Sequence, residues 1–221
     1  MVRLLALAVY MAAPFLLLRV HRKFGSLAAV LSLWLPIEFH ILQWLGVEPA
    51  TALGAGMLAG ILAFRSRPNV LNVSTAFDLR KINFRDAFVN FVVFAAIGIP
   101  LALVIGFIRL SPRLLDISTI PTLVLTIFFL NALPEEILFR GIIQHVMESI
   151  FKNRVVALIV GALVFGASHL NNGASLPNYR YFVMATLAGL FYGNAWRREQ
   201  NVLTSTITHT LVNTGWRLFF R

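Results

Sequence analysis

The sequence predicts an all-α protein, a polytopic bundle of about eight transmembrane helices, or seven if a short third run is not a full crossing. Three observations point there. The 221 residues are 58% hydrophobic and only 13% charged, with a mean hydropathy of +0.79, whereas soluble domains carry about a quarter charged residues. The apolar residues fall into runs on the scale of a bilayer core, which takes roughly 20 helical residues. The basic residues sit in short connections between those runs, as the positive-inside bias dictates. With its length taken up by spans, the chain reads as a single integral-membrane domain over 1–221.

The formal net charge of +10 does not indicate nucleic acid. A nucleic-acid binder gathers its basic residues on one face or tail and interleaves aromatics; here they are dispersed among loops. There are no cysteines, which excludes disulfides, thiolate nucleophiles and Cys-held metals.

In chain order the spans are about 4–18, 27–45, 50–64, 87–108, 119–148, 154–170, 181–196 and 202–220. The first resembles a signal peptide, with Arg3 before small and apolar residues, but no hydrophilic domain follows it, so it is expected to stay as a span. The third is short and contains Gly54, Gly56 and Gly60, which suits either tight packing or a re-entrant segment. The loop at about 65–86 is the one long connection. Its mixture of Phe77, Leu79, Ile82 and Phe84 with Arg80, Lys81 and Arg85 fits a basic cytoplasmic segment on an anionic membrane surface or a solvated linker.

Twelve Lys and Arg residues lie in loops on one side: Arg19, Arg22, Lys23, Arg65, Arg67, Arg80, Lys81, Arg85, Lys152, Arg154, Arg197 and Arg198. Six lie on the other side or at the termini. The richer side is expected to face the cytoplasm, leaving both termini outside when the span count is even.

Within the motif-bearing core, about 119–220, ionisable residues stand at membrane depth, where they are costly and mark function. Pro134-Glu135-Glu136 is followed by Arg140. Glu136 and Arg140 are i, i+4 with the acid first, the favourable orientation for a helical ion pair. Glu135 points about 100° away around the helix and has no cation on its own helix, so it is the carboxylate free for chemistry. Pro134 removes a backbone donor and is expected to kink the helix, with Asn131 near the freed carbonyl. Phe165 and His169 share a face, as do His209 and Asn213. Glu135 lies 14 residues before Ser149 and His169 lies 15 after Arg154. Across so short a turn the two reach the same depth, roughly 21 Å from it at a rise of 1.5 Å per residue. This arithmetic offers His169 as the partner of Glu135, with His209 and Asn213 in the same layer.

In order and spacing, Glu135-Glu136…Arg140, Phe165…His169 and His209…Asn213 resemble the CAAX protease and bacteriocin-processing (Abi) family of glutamate-type intramembrane endopeptidases. The resemblance covers about the last hundred residues; the first four spans carry no matching motif. It implies that Glu135 activates a water with help from His169, and that His209 and Asn213 stabilise the oxyanion. Glu136, Arg140 and Phe165 would support the site. It also implies a membrane-embedded or membrane-associated protein or peptide as substrate, the lipid bilayer as the other partner, and no obligatory cofactor. A metal is not demanded, since a zinc site would need His169, His209 and Glu135 together.

Glu38 and His40 form a second intramembrane polar cluster and a candidate secondary site, although at i, i+2 they do not face each other. Two other classes stay open: a transporter or proton relay built from Glu, His and Arg, and a non-catalytic scaffold or immunity factor. Transporters commonly carry internal repeats, and none is visible here.

Overall fold

The structure, a computed structural model, describes residues 1–20, 24–65, 73–113, 117–173 and 176–221, and these are helical with no strand. Arg22, Lys23 and Arg67 of the cytoplasmic count lie outside the described residues. The long helices are α1 (Val2–Val20), α2 (Phe24–Glu38), α3 (Pro49–Phe64) and α4 (Phe84–Val104), then α5 (Ile117–Phe151), α6 (Arg154–Ala167), α7 (Tyr179–Arg197) and α8 (Val202–Phe219). By length and composition α1, α4 and α5 suffice to cross a membrane, and Ala28–Glu38, Pro49–Phe64 and Arg154–Ala167 are shorter apolar helices. The protein is a helical membrane bundle. Helices α7 and α8 are less apolar because they carry the polar residues that the bundle encloses, among them buried Thr204, Thr206, Thr208 and His209.

Two predicted spans differ in detail. The second ends at Glu38, because His40 adopts a left-handed conformation (φ 56°) before a one-turn helix at Ile41–Trp44; such a φ terminates an α-helix. The third is one continuous helix. Its glycines serve close approach: a Cβ at Gly56 would strike the Tyr10 hydroxyl, and one at Gly60 would come within 3.0 Å of Ile142. Small residues at such crossings let backbones approach.

Helices α1, α2 and α3 pack on one another, α4 packs on α7 and α8, and α6 lies along α7, while α5 touches members of every group. Contacts between loops tie each end of the bundle together. At one end Arg198 pairs with Asp86 at 3.0 Å, and Asn201 at the α7–α8 turn donates to the carbonyls of Thr75 and Asp78. So the described part of the basic loop, 73–83, is clasped to that turn and is not a free linker. At the other end Arg109 and Arg221 exchange backbone hydrogen bonds of 2.9 and 3.1 Å.

Candidate active site

Helix α5 brings its polar residues inward by changing its winding. Pro134 has no N–H to offer the carbonyl of Leu130. The ladder widens to π-helix on both sides of it, over Phe128–Ala132 and Ile137–Gln144. Such π segments inside α-helices recur at functional sites. The second π segment is buried along its whole length.

Glu136 and Arg140 pair at 2.9 Å with side chains essentially shielded from solvent. A buried ion pair offsets its desolvation only when further hydrogen bonds complete it. Here Arg140 also donates to the carbonyl of Gly189 on α7 and lies 4.3 Å above the Phe165 ring. The same Glu136 Oε1 lies 2.9 Å from His209 Nδ1. That oxygen accepts from Arg140, so Nδ1 is the donor and carries a proton. His209 is further fixed by stacking on Tyr192, with centroids 4.4 Å apart. The pair is therefore more than a brace within one helix; it orients a histidine three helices further along the chain.

Glu135 retains 20% exposure of its side chain where Glu136 has none, which leaves Glu135 as the carboxylate that meets the cavity. Its Oε1 accepts from Asn131 Nδ2 at 2.6 Å, and its Oε2 lies 4.0 Å from His209 Nε2. Asn131 Oδ1 in turn accepts from Asn213 Nδ2 at 2.7 Å. Asn131 thus serves two side chains and not the backbone, contrary to the expectation from Pro134. Its i−4 spacing from Glu135 was the signal in the sequence.

His169 sits in the turn just past α6, its amide bonded to the carbonyl of Gly166 at 2.9 Å. Its Nδ1 lies 2.8 Å from the carbonyl of Phe165. A carbonyl only accepts, so Nδ1 holds the proton and Nε2 is left as an acceptor. Among the described residues no hydrogen bond joins His169 to Glu135. The expected pairing of these two becomes a shared cavity instead. That cavity has a volume of about 290 Å³ and is lined by Glu135, His169, His209, Asn213, Asn131 and Phe165, with an apolar remainder that includes Phe94, Met184 and Trp216. Its volume holds several waters, each needing roughly 30 Å³.

Residues 117–215 match the family described as type II CAAX prenyl endopeptidase Rce1-like. Over this segment the chain is similar to the CAAX protease family. No match was found among curated proteins or solved structures. The CAAX protease family consists of peptidases that act on membrane-associated proteins, and the matched segment runs from the start of α5 to the last turns of α8, spanning all three polar motifs.

The N-terminal cluster lies outside this CAAX-protease segment. Among the described residues, the cavity lining includes neither Glu38 nor His40. Glu38 accepts from Asn171 Nδ2 at 3.3 Å, which ties the end of α2 to the turn after His169, while His40 is exposed. Nor is a metal cage formed: among the described residues no group of three or more His, Asp or Glu is arranged to hold an ion. His209 Nδ1 and His169 Nδ1 are both engaged by oxygen acceptors.

Proposed function

We propose that this protein is an intramembrane endopeptidase of the cell membrane. It hydrolyses a peptide bond in a membrane-associated protein or peptide with a carboxylate-activated water. The observation that carries the reading is the convergence of Glu135, His169, His209 and Asn213 on one cavity. That convergence matters because a base must stand within reach of the proton it removes.

In this mechanism Glu135 accepts a proton from water as the water oxygen bonds to the scissile carbonyl carbon. His169 Nε2, left as an acceptor, holds the second water proton in position. The carbonyl oxygen becomes an oxyanion and takes hydrogen bonds from Asn213 Nδ2 and from Nε2 of a protonated His209, donors set where the charge develops. Collapse of the intermediate breaks the C–N bond, and Glu135 returns its proton to the leaving amine. The carboxylate, the water and the polarised carbonyl supply these steps, and no metal is needed in them.

The test is to incubate the purified protein, reconstituted in phospholipid vesicles, with a membrane protein extract and to map new peptide termini by mass spectrometry. The wild type is expected to generate new termini and Glu135→Gln none. Cleavage retained by folded Glu135→Gln would remove the mechanism.

A further inference from the structure

Asn131 belongs to none of the three motifs, yet among the described residues it is the one side chain hydrogen-bonded to both Glu135 and Asn213. Its amide lies 2.6 Å from Glu135 Oε1 and its carbonyl 2.7 Å from Asn213 Nδ2. We propose that Asn131 is a positioning residue that couples the ionisation of Glu135 to the orientation of Asn213. This rests on the peptidase reading above for its catalytic meaning, though the coupling itself does not.

The argument is one of donors and acceptors. An ionised carboxylate only accepts, so Asn131 must turn its NH₂ group to Glu135. Its carbonyl is then the group that faces α8, and Asn213 must answer with its own NH₂. One N–H of Asn213 is used by Asn131; the other is left for the cavity that Asn213 lines. The ready form of the base therefore sets the ready form of the oxyanion donor. The placement depends on local winding: Asn131 lies in the π-helical stretch Phe128–Ala132. The titratable and charged groups facing the pair from the packed elements are Glu136 and Arg140 on α5, His169 after α6, Tyr181 and Tyr192 on α7, and His209 on α8.

Two measurements on the full-length protein in lipid bilayers test this. The first needs no substrate. Solid-state NMR reads the Asn213 side-chain amide, assigned by its loss in Asn213→Asp. Glu135→Gln is expected to shift that resonance in the wild-type background and to leave it unmoved in Asn131→Ala. An Asn213 amide that ignores Glu135→Gln in the wild type, or that responds equally without Asn131, overturns the proposal.

The second uses a quenched fluorogenic peptide ending in a farnesylated CAAX sequence. Asn131→Ala is expected to lower kcat by about 10- to 100-fold, on the scale of one lost positioning contact, with KM nearly unchanged. Asn131→Asp can donate to Glu135 only while the two carboxyls share a proton. That variant should lose activity as pH rises where the wild type does not. An unaltered pH profile for Asn131→Asp, with wild type active and Glu135→Gln dead, overturns the coupling and leaves the peptidase reading standing. Activity in Glu135→Gln instead strikes the peptidase reading alone.

Discussion

The imidazole of His209 lies face to face on the ring of Tyr192, with centroids 4.4 Å apart and planes only 17° from parallel. With Nδ1 held by Glu136 at 2.9 Å, the stack removes the one rotation that the hydrogen bond leaves free, so Nε2 is aimed toward Glu135. Tyr192→Phe keeps the ring and is expected to retain near wild-type activity. Tyr192→Ala removes a side chain that is 2% exposed and should destabilise by about 3–5 kcal/mol. It should also lower kcat in whatever protein stays folded. Thermal unfolding in detergent, paired with cleavage of the farnesylated peptide, separates the two effects.

Arg140→Ala takes the guanidinium from the buried Glu136, leaving it, among the described residues, only His209 as a partner, and strips the Gly189 carbonyl of its donor, which should cost about 3–5 kcal/mol. Arg140→Lys is not a mild change here. The guanidinium reaches Glu136 and the Gly189 carbonyl at once and lies on the Phe165 ring, and a single ammonium lacks that planar fork. Both variants should lower the unfolding temperature, with Arg140→Lys intermediate. An Arg140→Ala protein as stable as wild type would mean the ion pair has no structural role.

The all-helical class and the gathering of the polar motifs were legible in the sequence because each follows from a fixed geometry. A rise of 1.5 Å and an i, i+4 face are enough to bring Glu136 to Arg140 and to set Glu135 level with His169. What was not legible depends on contacts with no period. The stack of Tyr192 on His209 joins two helices through ring orientation alone. Pro134 announces a missing donor but not whether the helix kinks or widens, and here it is flanked by two π segments. How His169 is held was not legible for a related reason. Depth places a residue along the axis but not the direction of its ring, and this ring turns Nδ1 back to Phe165.

Gly166 connects helix packing to the site. A Cβ there would lie 2.8 Å from the Phe182 carbonyl oxygen and on the Thr186 hydroxyl of α7. The carbonyl is backbone and cannot rotate away, so Gly166→Ala should push α6 from α7 at a cost of about 1–3 kcal/mol. His169 follows three residues later and would move with the helix end. Cleavage should fall more steeply than stability does, and Thr186→Ala should restore only part of the loss because it relieves the hydroxyl and not the carbonyl.

The clasp at the basic end offers a prediction remote from the chemistry. Asn201 is fully buried; its Oδ1 accepts from the Thr204 amide at 3.0 Å and so caps α8, while its Nδ2 donates to Thr75 and Asp78. Loss of a helix cap costs about 0.5–2 kcal/mol, and Asn201→Ala additionally strips two loop carbonyls of their donor. Hydrogen exchange should therefore rise across 73–83 and the first turn of α8, with little change at His209.

Acid should loosen the same loop by a second route. Arg80 donates to the Asp78 carboxylate from its side chain and its backbone, and these bonds hold the Asp78 carboxyl below its usual value. A carboxyl lowered by folding contributes stability above its unfolded pKa and loses it as pH falls through the folded one. Exchange across 73–83, taken relative to the intrinsic amide rate at each pH, should thus stay flat from neutral pH down to the ordinary Asp range and rise only below it. In Asp78→Asn that acid-induced rise should be absent.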